Sequence, residues 1–513
     1  MNFATSFLVL AALGLTINAA PAAAPRQPYN ILFIASDDLN DWVGSFGGSP
    51  QARTPNMDRL AQRGAVVFQR AECAGPVCCP SRSAMLSGFM PHRSGVYNNS
   101  QNMLRAPLVQ THATLPEYFS KNGYHSVSMG KIFHKHPADQ GHWAFDVWED
   151  TLGGSGVNRE HLTSRTLNLV DGKPGPVAVG GDDDVSEGEA AALFAWGPTR
   201  GNKEDTMDYH TAQWAAGQLA HPPQKPFFLA VGLAKPHLPW HVPQEYFDRH
   251  PLASITIPEY RLDDLDDILD PSGGKKFRPS ADFRWVANDV TLFKRAVQGY
   301  LAAASYADDC VGVILDALEK SPARDNTIVI IFGDHGWHLG EKLRFRKATL
   351  WAEATRLPLI IRVPGMKAKQ DCPRVVNLID LYPTLIELCG LPTKPGIDGR
   401  SLVPLLNNPQ AAWPYPSLTV NGNGNACVLD ERWYFIHYKD GTEEFYDMRN
   451  DPMQWTNQIR SSDPALRAQI KRLAAAMPVS YAPDVPHNAG GKEAKQAAPD
   501  PKLKATRPLE KLK

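Results

Sequence analysis

Four short, unbroken apolar runs punctuate the chain. They are Asn30-Ile31-Leu32-Phe33-Ile34-Ala35, Phe227-Phe228-Leu229-Ala230-Val231-Gly232, Thr327-Ile328-Val329-Ile330-Ile331-Phe332 and Leu357-Pro358-Leu359-Ile360-Ile361-Arg362. None alternates apolar with polar residues, so each predicts a strand buried on both faces. Pro358 falls near the start of its run, where a missing N–H donor is tolerated. Between the runs lie helical signals. Thr54 followed by Pro55 predicts an N-cap and first turn for a helix through Ala61, and further helices are predicted over 211–219, 293–318 and 377–389. Strand–helix alternation predicts an α/β fold, a mostly parallel central sheet sandwiched by helices, with ligands at the carboxyl ends of the strands. After Leu405 the texture changes. Short strand patterns over 417–420, 426–430, 433–438 and 443–446, an Asp440-Gly441 hairpin turn and a helix over 464–477 predict a smaller C-terminal α+β domain with a short antiparallel sheet.

The ends of the chain read differently. An apolar run from Phe7 to Ile17 leads into small residues around Ala19–Ala24, which predicts a cleaved signal peptide over 1–24 and an exported, periplasmic or secreted protein. The run has no Lys or Arg before it, and a retained anchor is the other reading. The catalytic domain is then expected over 25–405, the C-terminal subdomain over 406–480, and a disordered tail, rich in Pro, Lys and Ala, over 481–513. Residues 152–189, rich in Gly and Asp and without periodicity, predict a long surface insertion.

With 513 residues and 43% hydrophobic content, the chain can bury more than one ordinary core. Lys+Arg 53 against Asp+Glu 54 leaves a net charge of −1, which excludes a global field for gripping nucleic acid. No other run reaches membrane-spanning length, so stable membrane insertion is not expected. An anionic substrate would have to be recognised locally.

Two acidic strand tips carry the first chemical signal. Asp37 and Asp38 follow the first buried strand, and Asp334 with His335 follows the third. Three carboxylates converging on one crevice cannot all stay ionised without a cation, and hard oxygen ligands favour Ca²⁺ or Mg²⁺, with an imidazole as an extra contact. A lone Asp-Asp after a strand would more simply be a turn or helix cap; its recurrence at Asp334 points to metal. Seven cysteines, Cys73, Cys78, Cys79, Cys310, Cys372, Cys389 and Cys427, are an odd number, which sets one thiol apart and leaves disulfides among the others open. In Cys78-Cys79-Pro80-Ser81-Arg82-Ser83-Ala84-Met85-Leu86-Ser87-Gly88, Pro80 starts and Gly88 ends a predicted helix. Cys78 then lies at its positive terminus, where an anion is stabilised; a buried or disulfide-bonded cysteine is the plainer alternative.

This segment resembles the signature of the formylglycine-dependent sulfatase family, of the alkaline-phosphatase-like superfamily. Thr54-Pro55-Asn56-Met57-Asp58-Arg59-Leu60-Ala61, Val376 to Thr384, Asp398-Gly399-Arg400-Ser401-Leu402 and Phe445 to Pro452 are also similar to that family, and the likeness runs from about Asn30 to Asn457. Within the family, Met129-Gly130-Lys131-Ile132-Phe133-His134, Val231 to His237 and Gly333-Asp334-His335-Gly336-Trp337 resemble iduronate-2-sulfatases, and bacterial polysaccharide sulfatases share these segments. The resemblance implies a calcium-dependent sulfuric ester hydrolase acting on a sulfated carbohydrate. A maturation enzyme would oxidise Cys78 to Cα-formylglycine (3-oxoalanine). Asp37, Asp38, Asp334, His335 and the modified Cys78 would hold one Ca²⁺, and Arg82 would reach back to the hydrate and the metal carboxylates. Lys131 would stabilise the charged hydroxyl and sulfate oxygens, His134 would act as base, and His237 and Lys347 would bind sulfate and serve the leaving alkoxide. Arg344 and Arg346 beside Lys347 make that segment unusually basic and offer further anion contacts. Lys235 reads equally as a leaving-group contact or as packing beside His237. Two other readings remain open from the residues: a phosphate or phosphonate monoester hydrolase of the same superfamily, against which the cysteine at 78 argues, and a non-catalytic sulfated-glycan-binding protein.

Overall fold

Every residue of strand β1 (Asn30–Asp37) is buried. The cause is visible on both its faces. Leu32 and Ile34 enter one apolar layer; Ile31, Phe33 and Ala35 enter another on the opposite side of the sheet. A strand with two apolar faces has no polar positions to alternate, which is why these segments read as continuous runs. A computed structural model describes residues 28–134, 144–149, 169–170, 173–174, 194–199 and 201–486. The predicted signal peptide, nearly all of the predicted insertion and the tail beyond 486 lie outside the described residues.

β1 sits inside a nine-stranded sheet. Its other strands are β2 (Val66–Glu72), β3 (His125–Gly130), β4 (Val147–Glu149), β5 (Phe227–Pro236), β6 (Thr327–Gly333), β7 (Arg356–Leu357), β8 (Leu359–Arg362) and β9 (Gln370–Asn377). They run in the order β7-β2-β8-β6-β1-β5-β3-β4, with β9 beside β2. The pairs β6–β1, β1–β5, β5–β3, β3–β4 and β2–β9 are parallel, and β8 and β7 run antiparallel to their neighbours. The predicted mostly parallel sheet is therefore present. The fourth apolar run is split at Pro358 into β7 and β8; proline has no N–H for the ladder, while its carbonyl accepts from Gly333. One face of the sheet is covered by α3 (Met207–Ala220) and the 31-residue α4 (Val290–Lys320), the other by α2 (Cys78–Ser87) and α5 (Leu381–Leu388).

The first predicted helix forms as α1 (Pro55–Gln62), but Thr54 does not cap it. The Thr54 hydroxyl accepts from Gly44 N, and the free N–H groups of Asn56 and Met57 are taken by Asp308 of α4 at 2.9 and 2.8 Å. The cap comes from 250 residues away because α1 and α4 pack together.

Strands β10 (Ser417–Val420), β11 (Ala426–Leu429), β12 (Trp433–His437) and β13 (Glu443–Asp447) form the antiparallel C-terminal sheet, closed by α6 (Pro464–Ala474). The start of the expected disordered tail is ordered. Val485 is buried and its N–H reaches Gly95 O, while Tyr97 Oη donates to Ala482 O and Gln101 Nε2 to Val485 O. One apolar side chain and these backbone bonds fasten a stretch whose composition alone suggested none. All seven cysteines are free thiols, each buried. Among the described residues no helix is long and apolar enough to cross a membrane.

Candidate active site

Four adjacent strands, β6, β1, β5 and β3, end on one line. Ser36 of β1 is in register with Gly333 of β6 and Leu233 of β5, and Gly232 of β5 with Gly130 of β3. Asp334, Asp37 with Asp38, and Lys131 are the next residues along β6, β1 and β3; on β5 an irregularity sets Pro236 opposite Asp37, and His237 follows it into the same crevice. Gly130 and Gly232 let β3 and β5 close up at that point. Gly130 has φ +85°, and a methyl there would overlap the Gly232 carbonyl; a methyl on Gly232 would overlap the Lys131 backbone. Asp38 turns the chain out of β1 with φ +62°, a conformation Asp tolerates better than most residues.

Helix α2 enters this crevice with Cys78 as its first residue, and Gly88 ends it at φ +82°. Cys78 Sγ lies 3.3 Å from His335 Nε2 and 4.0 Å from Asp38 Oδ1. One turn on, Arg82 is fully enclosed. Its Nε donates to Asp334 Oδ2 at 2.7 Å, Nη2 to Asp37 Oδ1 at 3.3 Å, and Nη1 to the carbonyls of Lys131 and Ile132. This one guanidinium ties together the ends of β6, β1 and β3. Lys131 Nζ pairs with Asp37 Oδ2. Lys347, from the loop after β6, donates to Asp38 Oδ1 at 2.6 Å and to Cys78 Sγ at 2.9 Å. His237 Nε2 stands 3.8 Å from Asp38 Oδ2 and is 26% exposed. The structure thus brings together Asp37, Asp38, Cys78, Arg82, Lys131, His237, Asp334, His335 and Lys347. His134 lies near enough for Lys131, Asp37, Lys347 and Arg82 to act on its titration.

The donor set fits a hard cation. Asp37, Asp38, Cys78 and His237, and likewise Asp37, Cys78, Asp334 and His335, each offer ligand atoms within 4.8 Å of one another. His335 Nδ1–H donates to Gly336 O at 2.9 Å, which leaves the Nε2 lone pair aimed at the carboxylates. Asp38 Oδ2 is buried and finds no hydrogen-bond partner among the described residues. Burial pushes the Asp38 pKa up to about 8 against the pull of Lys347, with Asp37 and Asp334 adding repulsion. Burial works the same way on Asp37, but Lys131, His237, Arg82 and Lys347 outweigh it and hold that carboxyl well below its usual range. An orphaned carboxylate oxygen in a carboxylate cluster is what a bound Ca²⁺ or Mg²⁺ would satisfy.

The remaining groups are poised as neutral bases and fixed cations. Burial, followed by Lys131, holds His134 well below its usual pKa; burial, followed by Lys347, does so for His237. His237 Nδ1–H donates to Leu238 O at 2.6 Å, which leaves Nε2 to accept a proton. Burial disfavours the Lys131 ammonium, but Asp37 and Cys78 overcome it and raise its pKa. The encoded Cys78 thiol is lifted well above its usual value by burial and Asp37, so as a thiol it is a poor nucleophile.

The other basic residues have internal partners. Lys235 Nζ donates to His237 O at 3.1 Å and Pro239 O at 2.6 Å, which is packing beside His237. Arg346 pairs with Asp282, and the Arg344 guanidinium lies over the rings of Phe277 and Trp351. Sequence reasoning missed the residues behind the site. Tyr300 Oη donates to Asp38 O at 2.9 Å and accepts from Asn40 N, and Ser81 Oγ donates to Asp334 O at 2.5 Å. Asn99 and Gln101 brace Cys79 through its N–H and Sγ. Tyr300 sits at a core spacing in α4 and gives no sequence signal; Ser81 lies within the signature, which is the signal that could have found it.

Residues 29–391 match the family model described as sulfatase, and residues 333–477 that described as N-sulphoglucosamine sulphohydrolase, C-terminal. A protein named sulfatase from Formosa agariphila is 36% identical over 465 residues, covering 88% of this chain and 87% of its own. The iduronate 2-sulfatase of Mus musculus is 30% identical over 426 residues, covering 74% and 72%. The phosphonate monoester hydrolase of Agrobacterium radiobacter shares the fold, with a TM-score of 0.68 at 21% identity over 87% of this chain and 96% of that one. With the signature helix seated in a carboxylate crevice and most of its length matched, this chain belongs to the sulfatase family, hydrolases of sulfate esters.

Proposed function

We propose that this protein removes sulfate from a sulfated carbohydrate of the iduronate-2-sulfate type, with Cys78 oxidised to Cα-formylglycine and Ca²⁺ held by Asp37, Asp38, Asp334 and His335. The observation that carries the reading is the placement of Cys78 Sγ between Lys347 Nζ at 2.9 Å and His335 Nε2 at 3.3 Å, inside a carboxylate cluster with an unpartnered oxygen. The likeness to the mouse iduronate 2-sulfatase supports the substrate class.

The residues divide the work by position. The bound cation would supply Lewis-acid polarisation of a sulfate oxygen and charge balance for the carboxylates. The hydrate of the aldehyde would supply one hydroxyl to take the sulfuryl group and a second whose deprotonation releases it, an exit that a serine or cysteine ester lacks. Arg82 orients Asp334 and Asp37, and Lys131 and Arg82 keep Asp37 ionised. Lys131 and Lys347 present fixed positive charge to sulfate oxygens, and being enclosed they act in a low-dielectric setting. His134, held neutral, takes the proton that frees sulfate. His237, 26% exposed, faces the leaving sugar oxygen: its free Nε2 takes the proton given up by the attacking hydroxyl and returns it to that oxygen. Mass spectrometry of the Cys78 peptide from native protein, with sulfate release by the parent and Cys78→Ala, tests this. We expect a formylglycine mass and loss of turnover in a folded variant; an unmodified thiol in active protein, or turnover retained in Cys78→Ala, refutes it. Phosphate and phosphonate monoesters assayed beside sulfate esters separate this reading from the hydrolase that shares the fold.

A further inference from the structure

Lys347 is carried on an unusual stretch of backbone. Lys342, Leu343, Arg346 and Ala348 all have positive φ, +53°, +54°, +75° and +67°. Residues with a Cβ disfavour this region, so the surroundings must impose it. Two of the four are held by their side chains, and Leu343 by its carbonyl. Lys342 pairs with Asp264 at 2.7 Å and with Gln454 O, Leu343 O accepts from Ser280 N at 3.0 Å, and Arg346 pairs with Asp282. Ala348 has only a methyl group. Its conformation is fixed through its peptide groups: its N–H donates to Pro76 O at 3.0 Å, and its carbonyl accepts from Asn421 Nδ2 at 2.8 Å.

Both partners are themselves anchored. Pro76 lies two residues before Cys78. Asn421 follows β10 directly, and that strand is tied to the same segment by Val420 N to Ala74 O at 2.9 Å and by Thr419 Oγ1 to Cys73 O at 2.5 Å. Asn421 is also closed into a turn by its N–H to Asn425 O and by Asn425 Nδ2 to its own carbonyl. The C-terminal sheet therefore grips the chain on either side of the crevice, just before Cys78 and just after Lys347.

We propose that Asn421, contributed by the C-terminal subdomain, is a positioning residue: it holds Ala348 in the left-handed conformation and thereby sets Lys347 against Cys78 and Asp38. This rests on the reading of Lys347 as a group that contacts the reacting sulfate. Asn421 is the partner of the Ala348 carbonyl itself; without its amide the carbonyl side is restrained only further on, at Thr349 by His338 and at Leu350 O by Tyr434 Oη, and Ala348 is freer to return to negative φ. That rotation swings the preceding peptide and with it the Lys347 side chain. Displacements on the order of 1 Å in a catalytic group cost about a hundredfold in rate.

Sulfate release is measured for the parent, Asn421→Ala, Ala348→Gly, the double variant and Lys347→Ala, each with its Cys78 oxidation state determined by mass spectrometry. Asn421→Ala is expected to lower kcat by tenfold or more, with oxidation of Cys78 unchanged. Glycine accepts positive φ without enforcement, so Asn421→Ala should cost several-fold less in the Ala348→Gly background than in the parent. A purely structural role would not produce that coupling. A kcat within twofold of the parent in Asn421→Ala, or an equal loss in both backgrounds, overturns the proposal. If Asn421→Ala does not fold, the double variant decides: folded and active supports the proposal, unfolded overturns it. Lys347→Ala separates the two readings. If it retains full turnover, the assigned role of Lys347 fails; if it is inactive while Asn421→Ala is normal, only the positioning inference fails.

Discussion

Gly130→Ala probes the close approach on which Lys131 depends. Alanine at φ +85° costs about 1–2 kcal/mol in backbone conformation. Its methyl would overlap the Gly232 carbonyl, so β3 and β5 must part locally, weakening the Lys131 N–H bond to Gly232 O, 3.0 Å in the parent, worth about 1 kcal/mol. The total is on the order of 3 kcal/mol. At ~2.1 cal/mol/K per residue, unfolding the roughly 410 described residues has an entropy near 0.9 kcal/mol/K, so the melting midpoint should fall by only about 3 °C. Activity should respond far more. Moving Lys131 by on the order of 1 Å from Asp37 and from the carbonyl bond it gives Arg82 should lower kcat about a hundredfold. The assay is sulfate release from a sulfated disaccharide, normalised to formylglycine content, beside a thermal melt. A variant within threefold of the parent in kcat would refute the claim that the glycine pair sets the position of Lys131.

Chelation by EDTA should abolish turnover, and added Ca²⁺ should restore it better than Mg²⁺; turnover indifferent to chelator would count against the carboxylate crevice as a metal site. Lys342→Met should destabilise by about 3–5 kcal/mol in urea melts by leaving buried Asp264 unpaired, whereas Lys342→Met with Asp264→Leu should recover most of that loss. Glu72 is buried with Oε2 unpartnered among the described residues, and burial lifts its pKa to about 7 against a hydrogen bond from Thr355 and the charges of Arg70 and Arg356. The folded state then keeps a proton that the unfolded chain releases near pH 4.5, so this group's contribution to stability falls as pH rises from about 4.5 to 7 and is level above. Glu72→Gln should flatten that slope and be more stable than the parent at pH 8, by up to ~3 kcal/mol; identical slopes in denaturant melts would refute it.

The sheet and the acidic strand tips were legible because they obey local rules. Two-sided burial makes β1, β5 and β6 continuous apolar runs, and register carries the acidic groups after β1 and β6 to one place, while β5 reaches it through an irregularity opposite Asp37. Cys78 and Arg82 were legible through the likeness of their segment to the sulfatase signature; helix geometry alone left Cys78 open as a buried or disulfide-bonded cysteine. What was not legible depends on contacts distant in sequence. Asp308 caps α1 from the far end of the domain, and Thr54, the local candidate, is engaged by Gly44. Lys235 read equally as a leaving-group contact or as packing, and Arg346 as a further anion contact; two carbonyls take the first and Asp282 the second. The left-handed run from Lys342 to Ala348 contains no glycine to announce it, because its conformation is imposed from outside.

The four strands that deliver Asp334, Asp37, His237 and Lys131 are hydrogen-bonded neighbours, so none of their ends can move without dragging the register of the others. Such an arrangement is inherited as one block. Variation that alters what the protein accepts has to be grafted onto the segments bordering the crevice, where insertions are cheap. For engineering, this directs substitutions towards the loops around His237 and Lys347 and away from the strand termini, where even a well-chosen side chain would be entered at the expense of the whole row.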